Sequence, residues 1–160
     1  MTRPETLIRQ LSLRPHPEGG WYSEVFRSRH LVTADGRRGE RSALTTIYFL
    51  LVSGQCSRLH RVASDEAWHF HEGDPLELVS CDPEFERCEH VRLGPWDGTV
   101  RPAHVVPAGY WQAARPTGAY TLVGCTVGPG FDFADFAMLS DDPDAASRLC
   151  ARFPELEEFR

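Results

Sequence analysis

All 17 basic residues of this 160-residue chain are arginines, set against 23 aspartates and glutamates for a formal net charge of −6. That balance leaves no electrostatic footprint for nucleic acid or for an anionic membrane surface, and the lack of lysine excludes Schiff-base chemistry through a side-chain amine. Hydrophobic residues at 41% and charged residues at 25% are globular proportions, and a domain of this size buries roughly 70% of the surface its unfolded chain exposes.

Residues 4–12 read as a short amphipathic helix with Pro4 near its start and Leu7, Ile8 and Leu11 turned inward. His16-Pro17-Glu18-Gly19-Gly20 is a turn, and residues 21–28 alternate as a strand. Residues 31–41 are polar and glycine-bearing, and Arg37, Arg38 and Arg41 around Gly36 and Gly39 read as a solvated hairpin loop. Residues 43–52 form a buried strand that stops at Ser53-Gly54. Short segments then follow closely at 57–62, 66–71, 75–81, 87–93, 103–107, 110–115 and 119–127, each bounded by glycine, proline or aspartate turn signals. This rhythm belongs to an all-β sandwich or barrel rather than to βαβ units. Helical patterning resumes at Asp142-Pro143, an N-cap followed by proline at the first helical position, and breaks at Pro154. One domain spans residues 1–160, with a barrel over about 14–139 and a helical tail over about 142–160.

Cys56, Cys81, Cys88, Cys125 and Cys150 are odd in number and contain no CxxC pair, which excludes a zinc ribbon or a thioredoxin-type motif. No apolar stretch suits a signal peptide or a spanning helix. Five reduced thiols in a cytoplasmic protein are therefore expected, with Cys125 in the core.

Gly54, His60, Val62, Glu66 and Gly73 reproduce every interval of the first cupin motif, and Pro107-Ala108-Gly109-Tyr110-Trp111-Gln112 matches the second. His16 to Tyr22, His60-Arg61, Asp65 to Phe70, Gly73 to Leu76, Val106 to Ala113 and Leu122 to Phe136 together resemble the fifth cupin family. The resemblance covers nearly the whole chain. It implies an all-β double-stranded β-helix, a jelly-roll barrel related to the dehydrorhamnose epimerases. It also implies that His60 and Glu66 stand at metal-ligand positions, whereas Val62 and Gln112 replace two of the family's histidines. Valine cannot ligate, and a neutral amide is a poor ligand, so no tightly held cofactor is expected. A weakly bound divalent metal on His60, Glu66 and Gln112 stays open.

The expected site places His60 as general acid or base with Glu66 hydrogen-bonded to one imidazole nitrogen and the other left for a ligand. Arg61 and Gln112 would position a ligand, and Trp68, Phe70, Trp111 and Tyr48 would wall the cavity. Arg27 is a further candidate for an anion, and His69 and His71 share the opposite strand face, where a metal or a plain surface role is possible. Asp132 and Asp135 read as turn or subunit contacts, and Phe131, Phe133 and Phe136 as a homodimer interface. The function expected is metal-independent proton transfer on a small molecule, of epimerase, isomerase or lyase type. A non-catalytic ligand-binding barrel and a metal-dependent cupin enzyme remain the alternatives, and no residue names the substrate.

Overall fold

The computed structural model describes residues 1–36 and 38–160; Arg37 of the arginine cluster lies outside them. Helix α1 (Arg3–Gln10) starts at an N-cap, Thr2, whose side chain accepts from the Glu5 N–H while the Glu5 carboxylate accepts from the Thr2 N–H. Thirteen strands follow among the described residues: β1 (Arg14–Pro15), β2 (Trp21–Arg27), β3 (Leu31–Thr33), β4 (Glu40–Ser42), β5 (Thr45–Val52), β6 (Ser57–Val62), β7 (Asp65–Gly73), β8 (Leu76–Cys81), β9 (Cys88–Leu93), β10 (Ala103–Val106), β11 (Trp111–Pro116), β12 (Tyr120–Gly128) and β13 (Phe136–Met138). Helix α2 (Pro143–Arg152) is capped by the Asp142 side chain and stops before Pro154, after which a 3-10 turn runs to Phe159.

The strands form a six-stranded sheet in the order β1-β2-β5-β12-β7-β10 and a five-stranded sheet in the order β13-β6-β11-β8-β9, with β3 and β4 as a separate ribbon. All sheet pairings are antiparallel, and the crossovers between sheets make a jelly-roll barrel. Its inner core joins Phe49, Trp68 and Val123 of the first sheet to Leu76, Leu78, Leu93 and Ala114 of the second. Both outer faces are covered as well. Leu7 and Leu13 pack on Leu50 and Leu122 outside the six-stranded sheet, and α2 with its tail covers Leu59, Val79, Trp111 and Ala113 outside the five-stranded one.

Three expectations need correction. Residues 31–41 are not a bare polar loop, because Leu31–Thr33 pairs with Glu40–Ser42 in register. Arg38 and Arg41 are not a solvated pair, because both grip Asp135 at 2.8–3.0 Å. Arg38 also donates to the Ala63 carbonyl and to the Ser64 hydroxyl. This clasp fixes the ribbon to the segment between β12 and β13, and an aspartate with two guanidiniums reads in sequence as an ordinary turn residue. Finally, Cys81 and Cys88 are directly opposed on β8 and β9 and form a disulfide, so only Cys56, Cys125 and Cys150 are free thiols. Pairing across a hairpin needs the register, which thiol counting does not supply. Among the described residues no helix is long and apolar enough to cross a membrane.

Candidate functional site

Strand alternation turns one face of the six-stranded sheet into the wall of a cavity of about 440 Å³. Tyr22 and Glu24 on β2, Ile47 and Phe49 on β5, Cys125 and Val127 on β12 and Glu66 on β7 all point into it. His60 and Val62 of β6 close the opposite side, and Phe131, Asp132 and Phe133 border the mouth. A bulge at Val25 adds Arg27 to this wall. Glu24 opposes Ile47 but Phe26 opposes Thr46, so Val25 has no partner and the strand changes phase. A regular strand would bury Phe26 and turn Arg27 out. Here Arg27 lines the cavity opposite Thr45, and Phe26 is 51% exposed.

At the bottom of the cavity the partner of His60 is Glu18, not Glu66. Glu18 reaches it from the His16-to-Gly20 turn, which is pinned to β6 by the Arg58 N–H donating to the Glu18 carbonyl at 2.8 Å. Gly19 has φ of +111°, and a Cβ there would collide with the Cys56 carbonyl oxygen, so only glycine allows this approach. Glu18 Oε1 accepts from the Ser57 hydroxyl at 2.7 Å, and Oε2 lies 3.1 Å from His60 Nε2. His60 Nδ1 lies 2.7 Å from the Arg58 carbonyl, which only accepts, so Nδ1 carries a proton. Both imidazole nitrogens are therefore engaged, which corrects the expectation that one is left for a ligand.

Burial sets the protonation states. Desolvation pushes the Glu18 carboxyl up to about 8 and that of Glu66 up to about 7. The same desolvation lowers the affinity of His60 for a second proton, and it drops His16 to about 3. At neutral pH one proton thus sits on Glu18 and points at the bare Nε2 of a neutral His60. His16 is neutral too: its Nδ1 accepts from the Glu18 backbone N–H at 3.2 Å, so its 3.5 Å approach to the Glu18 carboxyl is not an ion pair. Its ring sits against Tyr22, Phe49, Phe133 and Phe136.

Gln112 lies behind the wall rather than on it. The Trp68 indole N–H, which can only donate, reaches Gln112 Oε1 at 2.9 Å and thereby fixes the amide orientation. Gln112 Nε2 must then face outward, and it donates to Glu66 Oε2 at 2.5 Å. The metal-ligand set of the fold family does not fit these residues. Val62 has no lone pair, the Gln112 oxygen is already taken, and no nitrogen of His60 is free. Among the described residues no cluster of three or more histidine, cysteine, aspartate or glutamate side chains has a metal-holding arrangement.

The other expected ligand contacts also stand elsewhere. Trp68 packs edge-on against Phe49 in the inner core, and Phe70 follows it on the same strand without lining the cavity. Trp111 faces the opposite way from Gln112, under α2, with the Arg61 guanidinium 4.6 Å above its ring. Tyr48 lies among the residues beneath α1. Its ring is 6.0 Å from that of His71, which belongs to neither the cavity nor a metal cluster with His69. Phe131 and Phe136 are half-buried, and Phe136 stacks on His60 at 5.4 Å. Asp132 fixes a turn by accepting from the Ala134 N–H. What sequence reading missed are Glu18, His16 and Arg14. The signal was present as two titratable residues embedded in a Pro-Glu-Gly-Gly turn, where glycine permits close approach to another strand.

A family profile described as Cupin superfamily (DUF985) matches residues 5–139. A hypothetical protein from Leishmania major is 34% identical with a TM-score of 0.84, the match covering 96% of this chain and 94% of that one. A protein from Shewanella oneidensis is 33% identical with a TM-score of 0.82, covering 99% and 94%. Oxalate decarboxylase from Bacillus subtilis, at 16% identity and a TM-score of 0.60, shares the fold over 91% of this chain and 36% of its own. No curated protein matches the sequence.

Proposed function

The chain belongs to the fifth cupin family, and from that premise we propose that its barrel cavity binds a small organic molecule and moves protons on it without a metal. The observation that carries this reading is the pair of buried carboxyls, Glu18 and Glu66, on one cavity, both raised by desolvation, to about 8 and about 7. Near pH 7.5 Glu66 is largely ionised and acts as the base, while Glu18 is largely protonated and acts as the acid. A proton leaves the ligand for Glu66, and Glu18 gives the proton it shares with His60 Nε2 to another atom of the ligand, so one proton is taken and one returned. His60 is a positioning residue that holds the Glu18 proton through Nε2. Gln112, held by Trp68, orients Glu66. Epimerisation, isomerisation and elimination can each use such a pair.

The test does not require the reaction to be known. The protein is purified gently, its co-purifying ligand is identified by mass spectrometry, and the complex is incubated in deuterium oxide at pH 7.5. Wild type should wash deuterium into a carbon position of the ligand, and Glu66→Gln should not. A ligand that binds tightly but never exchanges makes the barrel a binding module and overturns the catalytic reading. Assembly as a homodimer is proposed on different side chains from those first expected, because Val25, Phe26, Leu31, Val32 and Leu44 are the apolar residues exposed around the ribbon. Light scattering at micromolar concentration should give twice the chain mass.

A further inference from the structure

Resting on the proton-transfer reading of the same cavity, we infer that its ligand is a small hydroxy- or oxo-acid whose carboxylate docks on Arg14. Among the described residues Arg14 and Arg27 line the cavity, and their states differ. Arg27 is committed: its guanidinium forks onto both oxygens of Glu24, at 3.0 and 2.8 Å, and donates to the Phe131 carbonyl at 3.1 Å. Arg14 has no ion pair and no side-chain hydrogen bond among the described residues. Its guanidinium rests 5.0 Å over the Tyr22 ring, at the mouth of the cavity, with its donors unmet. A planar guanidinium presented this way matches a carboxylate in bidentate fashion, and the aromatic face beneath it restricts its motion.

The remaining charges choose between kinds of anion. The Arg27–Glu24 pair is neutral as a unit, and Asp132 adds a negative charge beside it. Glu66 is partly ionised at neutral pH, while Glu18 and both histidines carry no charge. Among the described residues one free cation, Arg14, thus faces a mildly negative interior. A single carboxylate fits that field, whereas a phosphate dianion meets Asp132 and Glu66 with Arg14 alone among the described residues to balance it. The far end of the ligand meets the Glu18 carboxyl, whose proton turns from His60 Nε2 to reach it, and a carboxylate acceptor at Glu66, which together recognise a hydroxyl or a carbonyl oxygen. Tyr22 and Phe49 add aromatic surface to the cavity wall. At about 440 Å³ the cavity has room for a sugar acid.

The experiment titrates the whole protein with a panel of acids from glycolate and pyruvate to gluconate, each beside its neutral amide, by calorimetry and thermal shift. At least one acid should bind with a millimolar or tighter Kd, its amide at least tenfold more weakly. Arg14→Gln should erase that preference with a melting temperature in the absence of ligand within about 2–4 °C of wild type, the scale of one lost exposed stacking contact. Amides that bind as well as their acids overturn the carboxylate inference while leaving a ligand-binding cavity intact. An acid preference that survives Arg14→Gln, or a panel in which no acid binds, overturns it too. Acid binding that requires Arg14, together with a bound acid that Glu66 never exchanges in deuterium oxide, keeps the ligand class and removes the proton-transfer reading instead.

Discussion

The five-stranded sheet separates two kinds of interior, and a single strand shows both. On β6, Leu59 points outward into a cluster of Val79, Trp111, Leu149 and Phe159 that is closed and apolar. The next residue, His60, points inward to Glu18 and the cavity. Both side chains are 1% exposed. Equal burial therefore does opposite things: on one side it supplies stability, and on the other it shifts proton affinities and costs stability. The outer face is the part that holds the barrel, and the inner face is the part that the barrel holds in a strained state of charge.

Substitutions should divide along that line. The largest effect is expected at the carboxyls. Glu66→Gln or Glu18→Gln should lower the exchange rate of a bound ligand by about 10²–10⁴-fold with the fold intact. The glutamine at 18 still accepts from Ser57 and can donate to His60 Nε2, so only the transferable proton is removed. Trp111→Ala on the outer face should do the reverse, costing about 3–5 kcal/mol by chemical denaturation while the folded fraction keeps its specific rate. A matching loss of rate per folded molecule would break the division. Gln112→Leu lies between the two: it leaves the Trp68 N–H without an acceptor, about 1–3 kcal/mol, and takes a donor from Glu66, so the lower limb of the pH profile should move upward.

The pH dependence sharpens the comparison further. Glu18 titrates near 8 folded and near 4.5 when released, so the folded chain holds a proton that the unfolded chain gives up between those values. Stability from this group is fully present below about 4.5 and declines as pH rises toward 8. Glu18→Gln should flatten that decline and melt several degrees higher than wild type at pH 8. His16 works on the acid side. With its affinity lowered to about 3, stability falls as pH drops below about 6.5, where the unfolded chain takes up a proton first. The smallest effect is expected at Arg61→Gln, about 0.5–1 kcal/mol from the lost stacking on Trp111, with no change in rate.

Much of this was legible in the chain. The strands from 57 to 127 fall within one or two residues of their expected limits, because period-two alternation and turn residues agree there. Helix α1 and the Asp142 cap were readable for the same local reason. His60 and Glu66 were found through motif spacing, and both line the cavity. What spacing does not carry is which way a strand faces once another sheet closes over it. Trp111 and Gln112 are neighbours in sequence, yet one lies under α2 and the other faces Glu66. Arg27 faces inward only because Val25 is bulged, and no residue type announces that. Glu18 was hidden by distance, since its partner on β6 lies some forty positions along the chain.

The clasp between Arg38, Arg41 and Asp135 bears on how fast a ligand enters. Asp135 holds its charge down to about 2, chiefly through the Arg41 hydrogen bonds, and its side chain is only 5% exposed. It joins the ribbon to the stretch that carries Phe131 and Phe133 at the mouth. The Arg41 hydrogen bonds keep Asp135 ionised across the range over which Glu66 and Glu18 titrate. The entrance and the interior therefore answer to different variables. Association rates for an uncharged probe should stay level across that range, while exchange on the bound ligand rises and falls within it. Entry is set by a fixed frame, and only the chemistry behind it is set by the proton concentration outside.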